Sequence, residues 1–485
     1  MRGILVATSL ALACAHAPRA PSLDGWRELR SPHFRLWTNL PSRDARTTLD
    51  QLETLRAALG TAWSAGDPAD PPGTTNAIVL RDPRELRSFT VWTGLARVTR
   101  RGPLLVAAGT AVALGDASPR QALLAHEVAH DLDHRRMPGA PRWFDEGLAS
   151  YLELAELVDA GRVRLGEISR DDLEAARTRP LLPLDDVART PWETTSPAEL
   201  TDVYRSSRLW VQLLRVEEPA RIRTLEAALE RGAPWRVAWV EARRDLDTGR
   251  LEDALRRWLH GGRFPTELHR FTVTRGPVEE RALATWEVHL VFAELWKAGA
   301  STIDDDRSPR VRAELEAAAL AAPDEPLPKV LLADLETHPD RRLEAAAGLR
   351  RAYPRSPDAA VLLARILRDD GGPVPGRREA MLDAVVLAPD DVDALTGHAL
   401  EEARSGEYVR AFGALRRAEE IAPWNPTVFL TRAAILGPLG ECAEAVDAVQ
   451  RALDVLPDAA DPTEVQSLVG ERARVRRTCR PARVR

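Results

Sequence analysis

The chain has 485 residues, 44% of them hydrophobic, which is enough to bury cores in about two to four domains. Its formal net charge is −6 and neither half carries a long basic run, so we exclude nucleic acid as a partner. The three cysteines, Cys14, Cys442 and Cys479, are too few for a disulfide scaffold, and none has the CxxC spacing of a zinc knuckle.

The N-terminus has the pattern of an export signal. A short positive segment, 1–3, precedes an apolar run at 4–13, which is too short to span a hydrocarbon core of about 30 Å. Residues 10–14, LALAC, resemble a bacterial lipobox, which predicts a signal peptide at 1–13, lipid on Cys14 and a tether at 14–22. An ordinary signal-peptidase site at 15–17 and an uncleaved apolar N-terminus remain alternatives.

The following segment mixes strand-like and helical patterns. Residues 33–38 alternate with a period near two, as a half-buried strand does, and 77–80 and 104–107 are short apolar runs. Residues 47–59 carry apolar side chains at helical spacing, and a long helix is expected from Ser118. We therefore expect an α+β domain with a small sheet first and helices afterwards.

Three of the ten histidines fall within nine residues of the long helix, in the run HEVAHDLDH that starts at His126. Residues four apart project from one face of a helix, so His126 and His130 can bind one ion. Glu127 then lies beside the water that the ion would hold. This is the arrangement of an HExxH metal site.

A second helix is expected at 142–151, after a short break that contains proline and glycine. Zinc in a catalytic site needs a third protein ligand and an open fourth position. The helix has the pattern Trp-x-x-Glu-Gly-x-Ala, which resembles the second-helix motif of gluzincin metallopeptidases. The resemblance implies that Glu146 is the third zinc ligand, and Gly147 would leave room for close packing of the two helices behind the metal.

The order of sheet, HExxH helix, short loop and second helix resembles the bacterial peptidase MA-like proteins that carry C-terminal tetratricopeptide repeats. The resemblance covers roughly residues 25–270, and the phrase at 26–38 fits the opening strand of that group. It implies a zincin-like metallopeptidase domain in which the two histidines and Glu146 bind Zn²⁺. Glu127 would take a proton from water as general base and pass it to the leaving amine.

The roles of four further polar residues remain open. His134 continues the helix without a glycine, so we interpret it as a residue that supports a ligand or caps the helix, not as a ligand. We interpret Asp145 as a solvated or capping carboxylate, and Glu153 as either a partner of a zinc histidine or a surface residue. Ser150 stands where thermolysin-like enzymes carry an Asp, so the group that orients the zinc histidines is unidentified.

Two expectations concern substrate. Tyr204 begins a helix at a position where relatives often carry a tyrosine, and it either stabilises the tetrahedral oxyanion or packs as a buried residue. The apolar run at 104–107 is expected to be an edge strand that pairs with an extended peptide.

From residue 278 onward only helical patterns remain. Prolines recur every 34 residues, with an alanine five residues before each: Pro389, Pro423 and Pro457, and Ala384, Ala418 and Ala452. This resembles the tetratricopeptide repeat and predicts an all-α solenoid at 278–485 with a capping helix at 465–477. A non-repeating helical bundle is the alternative.

Cys442 and Cys479 form an even set once Cys14 carries lipid. Cys442 begins the last repeat's second helix and Cys479 follows the capping helix. If these helices run antiparallel, the two Cα atoms could approach the ~5.5 Å that a disulfide needs. We predict the disulfide, with two free thiols as the alternative.

The sequence thus predicts a zinc metallopeptidase of the bacterial cell envelope, exported and lipid-anchored at the outer membrane or facing the periplasm. Residues 23–270 would hydrolyse a peptide or protein substrate, and the repeats would bind a protein partner. The alternative is an envelope scaffold lipoprotein that binds a partner through its repeats and carries a vestigial peptidase domain.

Overall fold

The computed structural model describes residues 21–63, 73–90, 95–99, 102–108, 119–137, 139–159, 161–168, 170–179, 181–190, 197–299, 308–369, 376–455 and 462–479. The signal peptide, Cys14 and Ser118 lie outside these residues, so the predictions made for them stay predictions.

The strands of the described residues are β1 Arg27–Arg30, β2 Phe34–Thr38, β3 Thr75–Leu80, β4 Leu95–Thr99, β5 Gly102–Ala108, β6 Glu156–Asp159, β7 Arg162–Leu165, β8 Glu267–Arg270 and β9 Glu279–Ala282. Six of them form one sheet in the order β4-β5-β3-β2-β1-β9, and β6, β7 and β8 form a second. Strand β3 is parallel to β2 and β5, whereas the other pairs in the large sheet are antiparallel. The three strands predicted from apolar patterns are confirmed as β2, β3 and β5.

The helices of the N-terminal part are α1 Ser42–Trp63, α2 Pro83–Leu86, α3 Pro119–Arg136, α4 Arg142–Leu152, α5 Arg170–Thr178, α6 Leu184–Arg189, α7 Pro197–Glu217, α8 Pro219–Glu230, α9 Trp235–Ala242, α10 Thr248–Gly261 and α11 Thr285–Ala298. The predicted helices at 47–59 and 142–151 are confirmed as parts of α1 and α4. In the part of the chain that the structure describes, no helix has the length and apolar character needed to cross a membrane.

The large sheet is covered on both faces, because its side chains alternate between two cores. Ala77 and Val79 of β3 join the core formed with α1, α3, α4 and α7. Ile78 and Leu80 point the other way, into a second core with Phe292 and other apolar residues of α11. The first core is the larger, and α3 and α4 lie within it.

The boundary predicted at 270–278 is wrong. Strand β9 pairs antiparallel with β1, and α11 supplies much of the core on the second face of the sheet. Residues 279–298 therefore belong to the sheet domain as well as leading into the repeats. The four-residue strand β9 is mostly exposed and polar, so it has no apolar alternation by which the sequence could show it.

The expectation that residues 104–107 form a sheet edge is also wrong. They lie in β5, which pairs with β3 on one side and with β4 on the other. The register of β4 and β5 places Thr99 opposite Gly102. The edge strands of this sheet are β4 and β9.

The C-terminal helices are α12 Ser308–Ala321, α13 Pro326–Asp334, α14 Pro339–Ala352, α15 Pro357–Asp369, α16 Arg377–Leu387, α17 Val392–Arg404, α18 Tyr408–Ile421, α19 Pro426–Leu439, α20 Cys442–Asp454 and α21 Pro462–Thr478. They pack in consecutive pairs, and the first helices of successive pairs, α13, α15, α17 and α19, also pack on one another. Ala384, Ala418 and Ala452 are fully buried, whereas Gly406 and Gly440 end a first helix with φ near +80°. The 34-residue period therefore corresponds to a helical repeat.

The predicted capping helix and disulfide are both present. Helix α21 packs on α20, and Cys442 is bonded to Cys479 with a Cα–Cα distance of 5.6 Å.

The last repeats also approach the sheet domain. The guanidinium of Arg135 lies 5.5 Å from the centre of the Trp424 ring, and a methyl group on Gly139 would lie 3.4 Å from the carbonyl oxygen of Asp454.

Candidate metal centre

Three side chains that the sequence singles out as ligands converge between α3 and α4. The Nε2 atoms of His126 and His130 are 3.0 Å apart, and each lies 3.4–3.5 Å from Oε2 of Glu146. The three atoms form a triangle with sides of 3.0, 3.4 and 3.5 Å, and its centre lies about 1.9 Å from each of them. An ion placed about 0.7 Å above the plane of the triangle would therefore lie ~2.0–2.1 Å from all three atoms. These distances fit the zinc–nitrogen and zinc–oxygen bonds of a tetrahedral site with one position open.

The other ring nitrogen of each histidine meets a carboxylate. Nδ1 of His130 lies 2.6 Å from Oδ1 of Asp145, and Nδ1 of His126 lies 2.9 Å from Oε2 of Glu153. Such carboxylate–histidine pairs orient the imidazole ring at metal sites. Our interpretation of Asp145 as a solvated or capping group was therefore wrong, and of the two roles left open for Glu153 the structure selects the partner of a histidine.

The carboxylates beside Nδ1 fix one proton on each histidine ring. Because a carboxylate accepts, each Nδ1 carries a hydrogen, and when the ring is neutral its Nε2 atom holds a lone pair. Both lone pairs point toward one another and toward an oxygen of Glu146. With neutral rings these three atoms repel one another unless positive charge, from a bound proton or a metal ion, lies between them. The donor set therefore fits a divalent metal ion.

The shifts in pKa show the same preference for positive charge. Burial disfavours a charged His126, but hydrogen bonds to Glu146 and Glu153 outweigh it and raise its pKa to about 9. Burial likewise opposes a charge on His130, yet Asp145 and Glu146 raise its pKa well above the usual range. Burial would raise the pKa of Glu146, but the histidines beside it lower the value to about 2.

His134 lies one turn beyond His130 and is connected to the candidate ligands through Asp145. Its Nε2 is 3.5 Å from Oδ2 of Asp145, whose other oxygen holds His130. His130, His134 and Asp145 also form a group close enough to bind an ion. However, the 2.6 Å contact between His130 and Asp145 is a hydrogen-bond distance, so we interpret His134 as a support for Asp145.

Glu127 is half-buried on α3, next to His126. Burial raises the pKa of its carboxyl group, and the charges of His130 and His126 oppose that rise. The carboxyl group therefore lies within the electrostatic field of the three candidate ligands but is not itself a ligand. This is the relation expected from the HExxH pattern.

Tyr204 of α7 also reaches the cluster, where its hydroxyl contacts Glu146 and not an open position for substrate. It donates a hydrogen bond of 3.2 Å to Oε1 of Glu146, and Nε of Arg142 lies 3.5 Å from the same oxygen. Burial, followed by the negative charge of Glu146, raises the pKa of Tyr204 to about 12, so the hydroxyl keeps its proton. No sequence pattern selected Arg142, although it stands one turn before Glu146.

Helix α3 is attached to the rest of the domain by a buried polar network on the side away from the ligands. Oδ2 of Asp131 accepts from Arg56 of α1 at 3.3 Å and from Thr75 of β3 at 2.6 Å, and Oδ1 accepts from Arg135 at 3.0 Å. Asp131 and Arg56 are each 2% exposed. The network fixes the position of the helix that carries both histidines.

Gly147 permits close contact of α4 with α7, whereas from the sequence we expect it to permit close packing of α4 against α3. A methyl group at this position would lie 2.7 Å from the carbonyl oxygen of Ser207 and 2.8 Å from a methyl of Val211.

Because the backbone of α7 must then move, Gly147→Ala is expected to destabilise the domain by about 1–3 kcal/mol. Thermal unfolding measures the effect, with Gly413→Ala as the control, since a methyl on that helical glycine meets open space. Equal melting temperatures for the two variants would contradict the prediction.

Known proteins resemble this chain only in part. No protein-family model and no curated protein matches it. Solved structures that match include TTC0263, a thermophilic TPR protein in Thermus thermophilus, at 18% identity over 39% of this chain and 98% of that chain, with a TM-score of 0.30. MamA matches at 18% identity over 32% of this chain and 95% of that chain, with a TM-score of 0.24. Function must therefore be inferred from the chain's own residues.

Proposed function

We propose that the N-terminal part is a zinc-dependent peptidase with a zincin-like fold and that the helical repeats bind a protein partner. The observation that carries the proposal is the convergence of two Nε2 atoms and one carboxylate oxygen at a spacing suited to Zn²⁺. The chemistry of the donor set supports a catalytic rather than a structural ion, because three protein ligands leave a fourth position open.

Each residue of the cluster has a separate task in this proposal. His126, His130 and Glu146 would hold the ion, and Glu153 and Asp145 keep the histidine rings turned toward it. When bound, zinc polarises a substrate carbonyl and makes water a stronger acid.

The carboxylate of Glu127 is the base of the proposal. It accepts a proton from the attacking water and donates it to the amine that leaves when the peptide bond breaks.

Metal content tests the proposal at its first step. Purified protein is expected to hold about one zinc per chain, because the three ligands form one site. His130→Ala removes a ligand, so its zinc affinity is expected to fall by more than the ~10- to 100-fold that is typical when a residue supporting a ligand is removed. His260→Ala is the matched control, since His260 is exposed on α10. Metal-free wild-type protein that stays metal-free after incubation with Zn²⁺ would contradict the proposal.

A second candidate function is favoured by the repeat arm itself. Successive first helices pack into a continuous row, and such rows present a surface for protein partners. In this alternative the chain is an envelope scaffold and its peptidase-like domain is vestigial. A wild-type protein that binds zinc, cleaves no protein substrate and retains a partner through residues 308–479 would favour the scaffold.

Export and a lipid anchor on Cys14 remain part of the proposal. They rest on the lipobox-like residues 10–14.

A further inference from the structure

The two oxygens of Glu146 have different surroundings. Oε2 faces the Nε2 atoms of His126 and His130, whereas Oε1 accepts the hydroxyl hydrogen of Tyr204 and lies beside Nε of Arg142. Glu146 itself is 8% exposed, so solvent contributes little to holding its orientation. The carboxylate is therefore divided between a metal-facing oxygen and a protein-facing oxygen.

This division decides how many ligand atoms a metal ion would receive. A carboxylate binds a cation through one oxygen or through both. Two histidines with one oxygen make three ligands and leave the fourth tetrahedral position for water or substrate. With both oxygens bound, the carboxylate itself would fill that position.

We propose that Tyr204 and Arg142 are positioning residues that hold Glu146 as a one-oxygen ligand and thereby keep the fourth metal position open. Tyr204 belongs to α7 and Arg142 to α4, so the pair also joins the ligand to the helix that packs beside it at Gly147. The hydroxyl of Tyr204 has one hydrogen, and Glu146 already accepts it. The sequence left two roles open for Tyr204, donation to a substrate oxyanion or packing as a buried residue, and the proposed support of the ligand is a third.

The inference rests on the proposed metal centre, and its test uses the metal alone. The full-length chain is loaded with Co²⁺ in place of zinc, and its visible absorption is recorded for wild type, Tyr204→Phe and Arg142→Gln. Wild type is expected to give the intense bands of a four-coordinate ion. In Tyr204→Phe, Oε1 loses the hydroxyl donor and is expected to turn toward the ion, so the bands weaken and shift as the coordination number rises.

Zinc affinity gives a second readout. Competition with a chromophoric chelator is expected to show a loss of about 10- to 100-fold in Tyr204→Phe, as for other groups that hold a ligand in place. Tyr408→Phe is the matched control, because Tyr408 is exposed on α18 in the repeat arm. Arg142→Gln keeps the test decisive if the tyrosine variant fails to fold.

The outcomes separate this inference from the proposed function. Variants that match wild type in both cobalt spectrum and zinc affinity would overturn it, and the metal centre would stand. Loss of peptide hydrolysis with an unchanged cobalt spectrum would also overturn it, since the hydroxyl would then act on substrate. A wild-type chain that binds neither Co²⁺ nor Zn²⁺ would remove the metal centre and this inference together.

Discussion

Glu127→Gln is expected to keep its metal and to lose about 100- to 10,000-fold in the rate of peptide hydrolysis, the usual contribution of a general base. The amide has nearly the shape of the carboxylate but cannot accept the proton of water. Glu127 is not among the three atoms that converge on the ion, so zinc content should equal that of wild type.

The measurement combines zinc analysis with hydrolysis of an unfolded, fluorescently labelled protein. Glu241→Gln is the matched control, because Glu241 lies exposed on α9 in the same domain. Equal zinc loss in Glu127→Gln and His130→Ala would show that Glu127 is a ligand and not the base. Equal turnover by Glu127→Gln and wild type would exclude it from the reaction.

Asp131→Ala is expected to destabilise the sheet domain by about 3–5 kcal/mol, the cost of leaving a buried charge without its partner. Asp131 is the acceptor for Arg56, Thr75 and Arg135, and its removal leaves the guanidinium of Arg56 buried without this carboxylate. Because Asp131 lies one residue after His130, the loss should also displace α3 and weaken zinc binding.

The matched comparison is Asp185→Ala. Asp185 pairs with Arg243 at 2.6 Å, but both side chains are about two-fifths exposed, so its removal should cost about 0–1 kcal/mol. Thermal unfolding of the zinc-free proteins separates the two cases without a contribution from the metal. A similar decrease in melting temperature for both variants would show that the buried network does not hold α3 in place.

Sequence predicted the parts of this protein that depend on local spacing. A helix places residues four apart on one face whatever surrounds it, so the HExxH run was enough to bring His126 and His130 together. Alternation with a period near two identified β2, short apolar runs indicated β3 and β5, and the spacing of prolines identified the 34-residue repeat. The disulfide between Cys442 and Cys479 followed from the order of the last two helices.

Only the tertiary structure decided which groups support the ligands. Asp145 and Glu153 reach the Nδ1 atoms because α4 crosses α3 at a particular angle and depth, which local spacing does not specify. Tyr204 meets Glu146 because Gly147 lets α7 approach α4.

The same reason explains the errors in the sheet. Strand order and the place of β9 depend on pairing between residues far apart in the chain, as Arg27 with Ala282. By itself the sequence determined the two candidate histidine ligands and the repeat, since helical geometry is local, whereas Glu146 was implied by the resemblance of the second helix to the gluzincin motif. Folding determined their partners, the sheet edge and the domain boundary, since these depend on contacts between distant segments.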